Sequence, residues 1–241
     1  MSEREGTRRE FLIKTSAAVG AGLVLSSCGR REGAAERERA EEVTANEDLM
    51  REHGVLRRIL LIYAEAVPRL RRDPSSVPPD ALQKAAQLFR SFGEDYHEKA
   101  LEEQYVFPMI KGRNGPAASY PDILIVQHNR GREITDYIIS VTRGIKLGTA
   151  QAETLAGVLE GFVKMYEHHS AREDTVVFPA WKALLPEGQL EELAEKFEEI
   201  EHQRFGSDGF DDAVKQVSEI EAALGLSDLA QFTPPSPPSV K

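Results

Sequence analysis

The chain has 241 residues, of which 41% are hydrophobic and 29% are charged, and its formal net charge is −10 at pH 7. This length suits one domain with tails. The negative charge argues against nucleic acid or an anionic lipid surface as a partner, because both repel an acidic protein. The single cysteine, Cys28, excludes an internal disulfide. We therefore expect a globular domain that is stabilised by its hydrophobic core.

The first 28 residues resemble an export signal. Arg8 and Arg9, followed by Phe-Leu, match the twin-arginine signature. The apolar run 17–25 is shorter than the ~20 residues of a membrane-spanning helix and is typical of a signal peptide. The motif Leu-Ser-Ser-Cys that ends at Cys28 resembles the lipobox of bacterial lipoproteins. The alternative is a chance arginine pair before an amphipathic helix. We expect an exported lipoprotein of the cell envelope, anchored to the membrane by a lipid on Cys28.

Two further segments lack the composition of a packed core. Residues 29–45 are rich in Arg, Glu, Ala and Gly and predict a flexible tether. Residues 227–241 end in a run of mostly Pro and Ser and predict an extended or disordered tail. The folded domain is therefore expected at 46–226.

Apolar residues in this domain recur at helical spacing, without sustained alternation of period two. The pattern predicts an all-α protein, in which Asn46 caps the first helix. The six predicted helices cover 46–70, 80–110, 119–148, 149–184, 186–206 and 209–224. Short connections favour antiparallel neighbours, so we expect an up-down-up-down four-helix bundle with two extra C-terminal helices outside it.

The second and fourth predicted helices echo one another. Glu102 and Glu173 each lie five residues before a Phe-Pro pair, and each follows a histidine. The first and third helices each carry one histidine early, at His53 and His128. The domain therefore looks like two helical hairpins of similar chemistry.

The spacing within these helices suggests metal ligands. His169 and Glu173 are four residues apart and share one face of a regular helix. His97 and Glu102 are five apart, which needs a π-bulge to bring them onto one face. Glu98 is the alternative ligand, because it lies four residues before Glu102.

Imidazoles with carboxylates suit iron, manganese or zinc. Two ions need more donors than one helix can supply, whereas inward residues from four helices suffice. Any one of these histidines, taken alone, is better read as an ordinary core or surface residue. The set favours a metal centre, because buried carboxylates without a metal or a proton are costly.

The order His, His-x4-Glu, His, His-x3-Glu, with Glu-x4-Phe-Pro in two helices, resembles the hemerythrin-like cation-binding domain over residues 46–205. The resemblance implies a four-helix bundle holding two non-haem iron ions with carboxylate and oxo bridges. Mapped onto this chain, it implies terminal ligands at His53, His97, His128 and His169, and bridging carboxylates at Glu102 and Glu173.

The chain departs from the oxygen carriers of that family at one position. They place a second histidine four residues after the first in the third helix, where this chain has Arg132. We expect Glu133 to substitute as a ligand, because it lies five residues after His128, as Glu102 does after His97. The alternative is that Glu133 pairs with Arg130 or Arg132 on a solvated face. The departure argues against reversible oxygen carriage.

The remaining histidines, His168 and His202, are expected to be structural. A ferritin-like centre is rejected because Glu-x2-His occurs only once in the predicted core, at Glu94 and His97.

We therefore expect a protein that binds or senses oxygen, nitric oxide or peroxide, its partner being a small diatomic ligand or peroxide. A di-iron oxidase or peroxide-consuming enzyme and an iron or zinc buffering module are the alternatives. We assign no catalytic residue.

Overall fold

The computed structural model describes residues 43–144, 146–206 and 208–240. The predicted signal peptide, Cys28 and nearly all of the predicted tether lie outside these residues. All regular secondary structure in the described part is helical and no strand occurs there, as the sequence pattern predicts. Its six main helices are α1 (Ala45–Arg72), α2 (79–110), α3 (Tyr120–Val141), α4 (149–182), α5 (Glu187–Phe205) and α6 (Gly209–Ala223).

Short 3-10 turns lie at Pro74–Ser76, Pro116–Ser119 and Leu229–Phe232. The last of these lies within the predicted tail, and residues 233–240 beyond it are exposed and have no regular structure. None of the helices in the described part is long and apolar enough to span a membrane.

Two helix ends differ from the predictions. Thr44, not Asn46, caps α1, because its hydroxyl accepts from the Glu47 amide while the Glu47 carboxylate accepts from the Thr44 amide. Helix α3 ends at Val141, seven residues before the predicted end. The Thr142 amide still donates to the Ile138 carbonyl, and the chain then leaves the helix in a turn at residues 142–144.

Helices α2 and α4 both contain π-helical segments. In α2, π-helix runs over Phe89–Val106 between α-helical Pro79–Leu88 and Phe107–Ile110. In α4, π-helix runs over Glu173–Val177 between Thr149–Arg172 and Phe178–Lys182. The predicted π-bulge between His97 and Glu102 is therefore present, within a longer π-helical stretch.

The Phe-Pro pairs explain where both π segments end. Proline has no amide hydrogen to donate, and its ring crowds the carbonyl four residues earlier. The preceding phenylalanine donates instead across five residues: Phe107 to the Glu102 carbonyl and Phe178 to the Glu173 carbonyl. The Glu-x4-Phe-Pro motif thus marks a widened turn that starts at the glutamate.

The first four helices surround one hydrophobic core, with α1 packed against α4 and α2 against α3. Helices α5 and α6 pack on the outside of α1 and α2. Trp181 at the end of α4 stacks on Phe197 of α5 with ring centroids 6.1 Å apart, and Arg58 of α1 forms an ion pair with Glu221 of α6. The two extra helices therefore cover the side of the core that α1 and α2 form.

Candidate metal centre

One histidine from each of the first four helices points into the core. All four side chains are nearly inaccessible to solvent, with exposed fractions of at most 3%. They fall into two pairs. The rings of His53 and His97 lie 4.7 Å apart, and those of His128 and His169 lie 4.9 Å apart.

Two glutamates, both fully buried, lie between the pairs. The Oε1 atom of Glu102 is 3.4 Å from His97 Nε2, and its Oε2 is 3.4 Å from His128 Nε2. The Oε2 atom of Glu173 is 3.4 Å from His53 Nε2 and 3.0 Å from His169 Nε2. Each carboxylate thus contacts one histidine of each pair, which is the arrangement a bridging ligand needs.

The other ring nitrogen of each histidine donates a hydrogen bond to an oxygen acceptor outside the cluster. The four Nδ1 distances are 2.7 Å from His53 to Asp174, 2.6 Å from His97 to Glu52, 2.9 Å from His128 to Glu103 and 2.9 Å from His169 to Gln127. Nε2 is therefore the nitrogen of each ring that faces the centre, where it can bind a metal once it holds no proton. Metal-binding histidines use this orientation, with the other nitrogen donating to an acceptor behind the ring.

The site has an internal twofold pattern that follows the two hairpins. On α1 and α3 the acceptor is the residue directly before the histidine, Glu52 on α1 and Gln127 on α3. On α2 and α4 it is the residue directly after the cluster glutamate, Glu103 on α2 and Asp174 on α4. Sequence analysis missed these four residues, although their adjacency to the predicted ligands was a usable signal.

The phenylalanines of the two Phe-Pro pairs also take part. Phe107 stacks on His128 with ring centroids 5.5 Å apart, and Phe178 stacks on His53 at 5.3 Å. Each Glu-x4-Phe-Pro motif therefore supplies a buried carboxylate of the cluster and an apolar wall for a histidine of a neighbouring helix.

Arg57 and Arg132 extend the same pattern. Each lies four residues after the histidine of its helix and forms an ion pair with the acceptor behind that histidine, Arg57 with Asp174 and Arg132 with Glu103. The position at which the oxygen carriers have a second histidine is therefore occupied by a cation that orients a hydrogen-bond acceptor.

The structure does not bring Glu133 to the cluster, so the expectation that it replaces the missing histidine is corrected. Its side chain is 67% exposed and pairs with Arg130 at 3.3 Å, as in the alternative considered from the sequence. Helix α3 is regular around His128. Residues five apart on a regular helix differ by ~140° around the axis, which turns Glu133 to solvent.

Glu98 is buried next to the cluster but is engaged elsewhere. Its Oε1 accepts from the Tyr166 hydroxyl at 2.7 Å, and its Oε2 accepts from Arg132 at 3.2 Å. The structure thus brings together six of the seven predicted ligands and places Glu98 behind them. His168 and His202 are exposed and lie outside the buried cluster.

The charges of the cluster shift the pKa values of its members. Burial lowers the pKa of His97, but Glu102 and Glu52 outweigh it and hold that pKa well above its usual value. Burial likewise opposes protonation of His128, but Glu98, Glu102 and Glu103 raise its pKa to about 10. Without a metal, protons therefore compete for the nitrogens that face the centre, so metal uptake must release protons.

A model of the hemerythrin HHE cation-binding domain matches residues 44–181, which is more than half of the chain. The chain belongs to this family. Its hemerythrin-like part spans α1 to α4, and α5 and α6 lie beyond it.

The relatives extend past that domain. Uncharacterised proteins from Mycobacterium bovis and from two strains of Mycobacterium tuberculosis are each 44% identical over 236 residues, covering 94% of this chain and 91% of theirs. The similarity thus includes regions on either side of the hemerythrin domain. No solved structure matches significantly.

The residues of this hemerythrin-like cluster fit a pair of metal ions. Both carboxylate oxygens of Glu102, both of Glu173 and the Nε2 of His97 are buried without a hydrogen-bond partner. The Nε2 atoms of His128 and His169 face each other at 3.2 Å. Polar atoms that are buried without a hydrogen-bond partner destabilise a protein interior unless a bound cation satisfies them. Two groups of ligand atoms share Glu102: one adds His53 and His97, and the other adds His128, His169 and Glu173.

A small cavity opens beside the cluster, between α1 and α4. It encloses about 280 Å³ of empty space, including its mouth, and its inner part holds one water molecule at most. Leu56, Leu60 and Tyr166 line it together with the ligands. A wider surface groove shares Arg57, Leu60 and Ser170 with this cavity. Only a very small molecule fits next to the centre.

Proposed function

We propose that the protein holds two non-haem iron ions and binds or senses oxygen, nitric oxide or peroxide at the cell envelope. The observation that carries this proposal is a group of buried atoms without hydrogen-bond partners on Glu102, Glu173 and His97. These atoms lie close together within the cluster of four histidines. Nitrogen and carboxylate donors in this proportion suit iron. Two iron ions, when bound, would supply a redox-active pair with coordination positions for a small ligand.

The four histidines and two bridging glutamates would hold the ions, and the acceptors behind the histidines would fix the ring orientations. The cavity lined by Leu56 and Leu60 would admit a small ligand and keep out larger reductants. We further infer that α1 to α4 run up-down-up-down as one four-helix bundle, as in other members of the family.

The optical spectrum tests the iron proposal. The full chain is purified without oxygen, its metal content is measured, and its spectrum is recorded before and after oxygen or nitric oxide is added. We expect iron in the protein and a new ligand-to-iron absorption band after the addition. A protein that carries zinc alone, or whose spectrum ignores both gases, would favour a buffering module instead.

Consumption of peroxide is a second candidate, which one observation favours. The Tyr166 hydroxyl, a proton donor held by Glu98, lines the cavity beside the cluster. Oxygen release from hydrogen peroxide, with two peroxides giving two waters and one oxygen, would support this enzyme activity. If so, Tyr166→Phe should slow turnover and leave the iron content unchanged.

The exported lipoprotein is also a proposal, supported by Arg8, Arg9 and the motif ending at Cys28. Replacing both arginines with lysine should block export, because twin-arginine export depends on the pair. Cys28→Ser should release a soluble exported form into the medium or periplasm. Normal membrane attachment of the Cys28→Ser protein would refute lipidation at this residue.

A further inference from the structure

The cavity beside the metal centre and the groove on the surface meet at three side chains. Arg57 and Leu60 of α1 and Ser170 of α4 line both spaces. Leu61 and Ala171, the residues that follow the last two, line the groove and no part of the cavity. A molecule that moves from the groove to the ligands must therefore pass between Leu60 and Ser170, next to Arg57.

Exposure to solvent falls along this path. Leu61 and Ala171 are exposed on the groove. At the entrance, Leu60 is only 4% exposed and Ser170 only 7%. The four histidines behind them are exposed by at most 3%. The path thus narrows from an open groove to a nearly closed entrance.

The two helices place this entrance close to the ligands. Leu60 lies two turns after His53 on the same face of α1, about 10 Å further along the axis. Ser170 directly follows His169 on α4, and its hydroxyl donates to the Tyr166 carbonyl at 2.9 Å. The hydroxyl is therefore held against its own helix, and the small side chain leaves the entrance open. A larger residue at this position would close the cavity.

We propose that Leu60 and Ser170 are specificity-determining residues, which admit ligands as narrow as a diatomic molecule or hydrogen peroxide and exclude wider ones such as organic hydroperoxides. The inference rests on the metal centre proposed above and adds which ligands can reach it. Because the inner cavity holds one water molecule at most, a branched or cyclic molecule cannot enter without displacing Leu60.

The rate of ligand binding to the Co²⁺-loaded full chain, followed by stopped-flow visible absorption, tests the inference. Azide is the narrow probe and imidazole the wide one. Leu60→Ala should accelerate imidazole binding by about tenfold or more, which corresponds to a barrier lowered by about 1.4 kcal/mol, and should change azide binding much less. Leu61→Ala makes the same deletion in the groove alone and should leave both rates as they are.

Ser170→Val makes the opposite change, since it adds bulk at the entrance. It should slow the binding of both probes. Ser170→Ala removes the hydroxyl without adding bulk and should slow neither. Ala171→Val adds bulk one residue further, in the groove alone, and should leave both rates as they are.

Equal imidazole rates in the wild type and in Leu60→Ala would overturn the inference, even if Ser170→Val does not fold. Changes in Leu61→Ala as large as those in Leu60→Ala would also overturn it, because the groove and not the entrance would then limit access. A wild-type chain that binds no Co²⁺, or whose Co²⁺ spectrum azide does not change, would instead refute the metal centre itself. The two failures are therefore distinguishable.

Discussion

Burial of Glu94 should make the stability of the metal-free protein depend on pH. Glu94 is fully buried on α2, where its Oε1 accepts from the Thr135 hydroxyl at 2.5 Å. Burial, reinforced by the charge of Glu98, raises its pKa from 4.5 to about 8. Arg90, at 3.0 Å from Oε2, reduces this shift without abolishing it.

The direction of the effect follows from linkage. Between pH 4.5 and 8 the unfolded chain has lost the proton of Glu94 and the folded chain retains it, so stability falls as pH rises through this window. One pKa unit corresponds to 1.36 kcal/mol, which gives a loss of about 5 kcal/mol as an upper limit. Glu94→Gln resembles the protonated side chain and should remove this dependence.

Urea unfolding of metal-free wild type and Glu94→Gln, measured from pH 4.5 to 9, is the assay. The difference in free energy of unfolding, variant minus wild type, should increase with pH up to about pH 8 and stay constant above that pH. Glu65→Gln, at a half-exposed position of α1, is the control and should change little. Parallel pH profiles for wild type and Glu94→Gln would refute the raised pKa.

Three further predictions concern the surroundings of the metal centre. Asp174→Ala should weaken metal binding by about 10–100-fold, because His53 loses the acceptor of its Nδ1 proton; competition with a chelator measures this, and unchanged affinity would contradict it. Glu133→Ala should leave the metal content unchanged by elemental analysis, because the side chain is exposed, so loss of metal would count against the structure. Gly131→Ala should lower the melting temperature, since the added Cβ would lie 2.0 Å from the Tyr166 hydroxyl; an unchanged melting temperature would show that this contact yields easily.

Much of the fold could be predicted from the sequence because helical periodicity and proline positions are local signals. The six helices follow from them, but the end of α3 was predicted seven residues too late because no proline marks it. The helix start at Thr44 was missed by two residues, although Thr44 and Glu47 form a capping box that the sequence itself displays.

The candidate site was predictable where ligand spacing within one helix carried the information. His97 and Glu102 required a π-bulge, and the structure has π-helix over the whole of Phe89–Val106. The same reasoning failed for Glu133, since α3 stays a regular α-helix around His128.

The acceptors behind the histidines were missed because each binds a histidine of another helix. Glu52 binds a histidine on α2, and Gln127 binds one on α4. Contacts of this kind depend on the register between helices, which packing sets and a single-helix pattern does not reveal. Their adjacency to the ligands becomes meaningful only once the twofold relation of the two hairpins is seen.

The metal content of matched histidine variants tests the central claim most directly. The wild-type chain should hold two iron ions per molecule, and His169→Ala should lose at least one of them because its Nε2 faces both His128 and Glu173. His168→Ala, the exposed neighbour on the same helix, should keep both. Equal iron content in the wild type and the two variants would contradict a metal centre built from these residues.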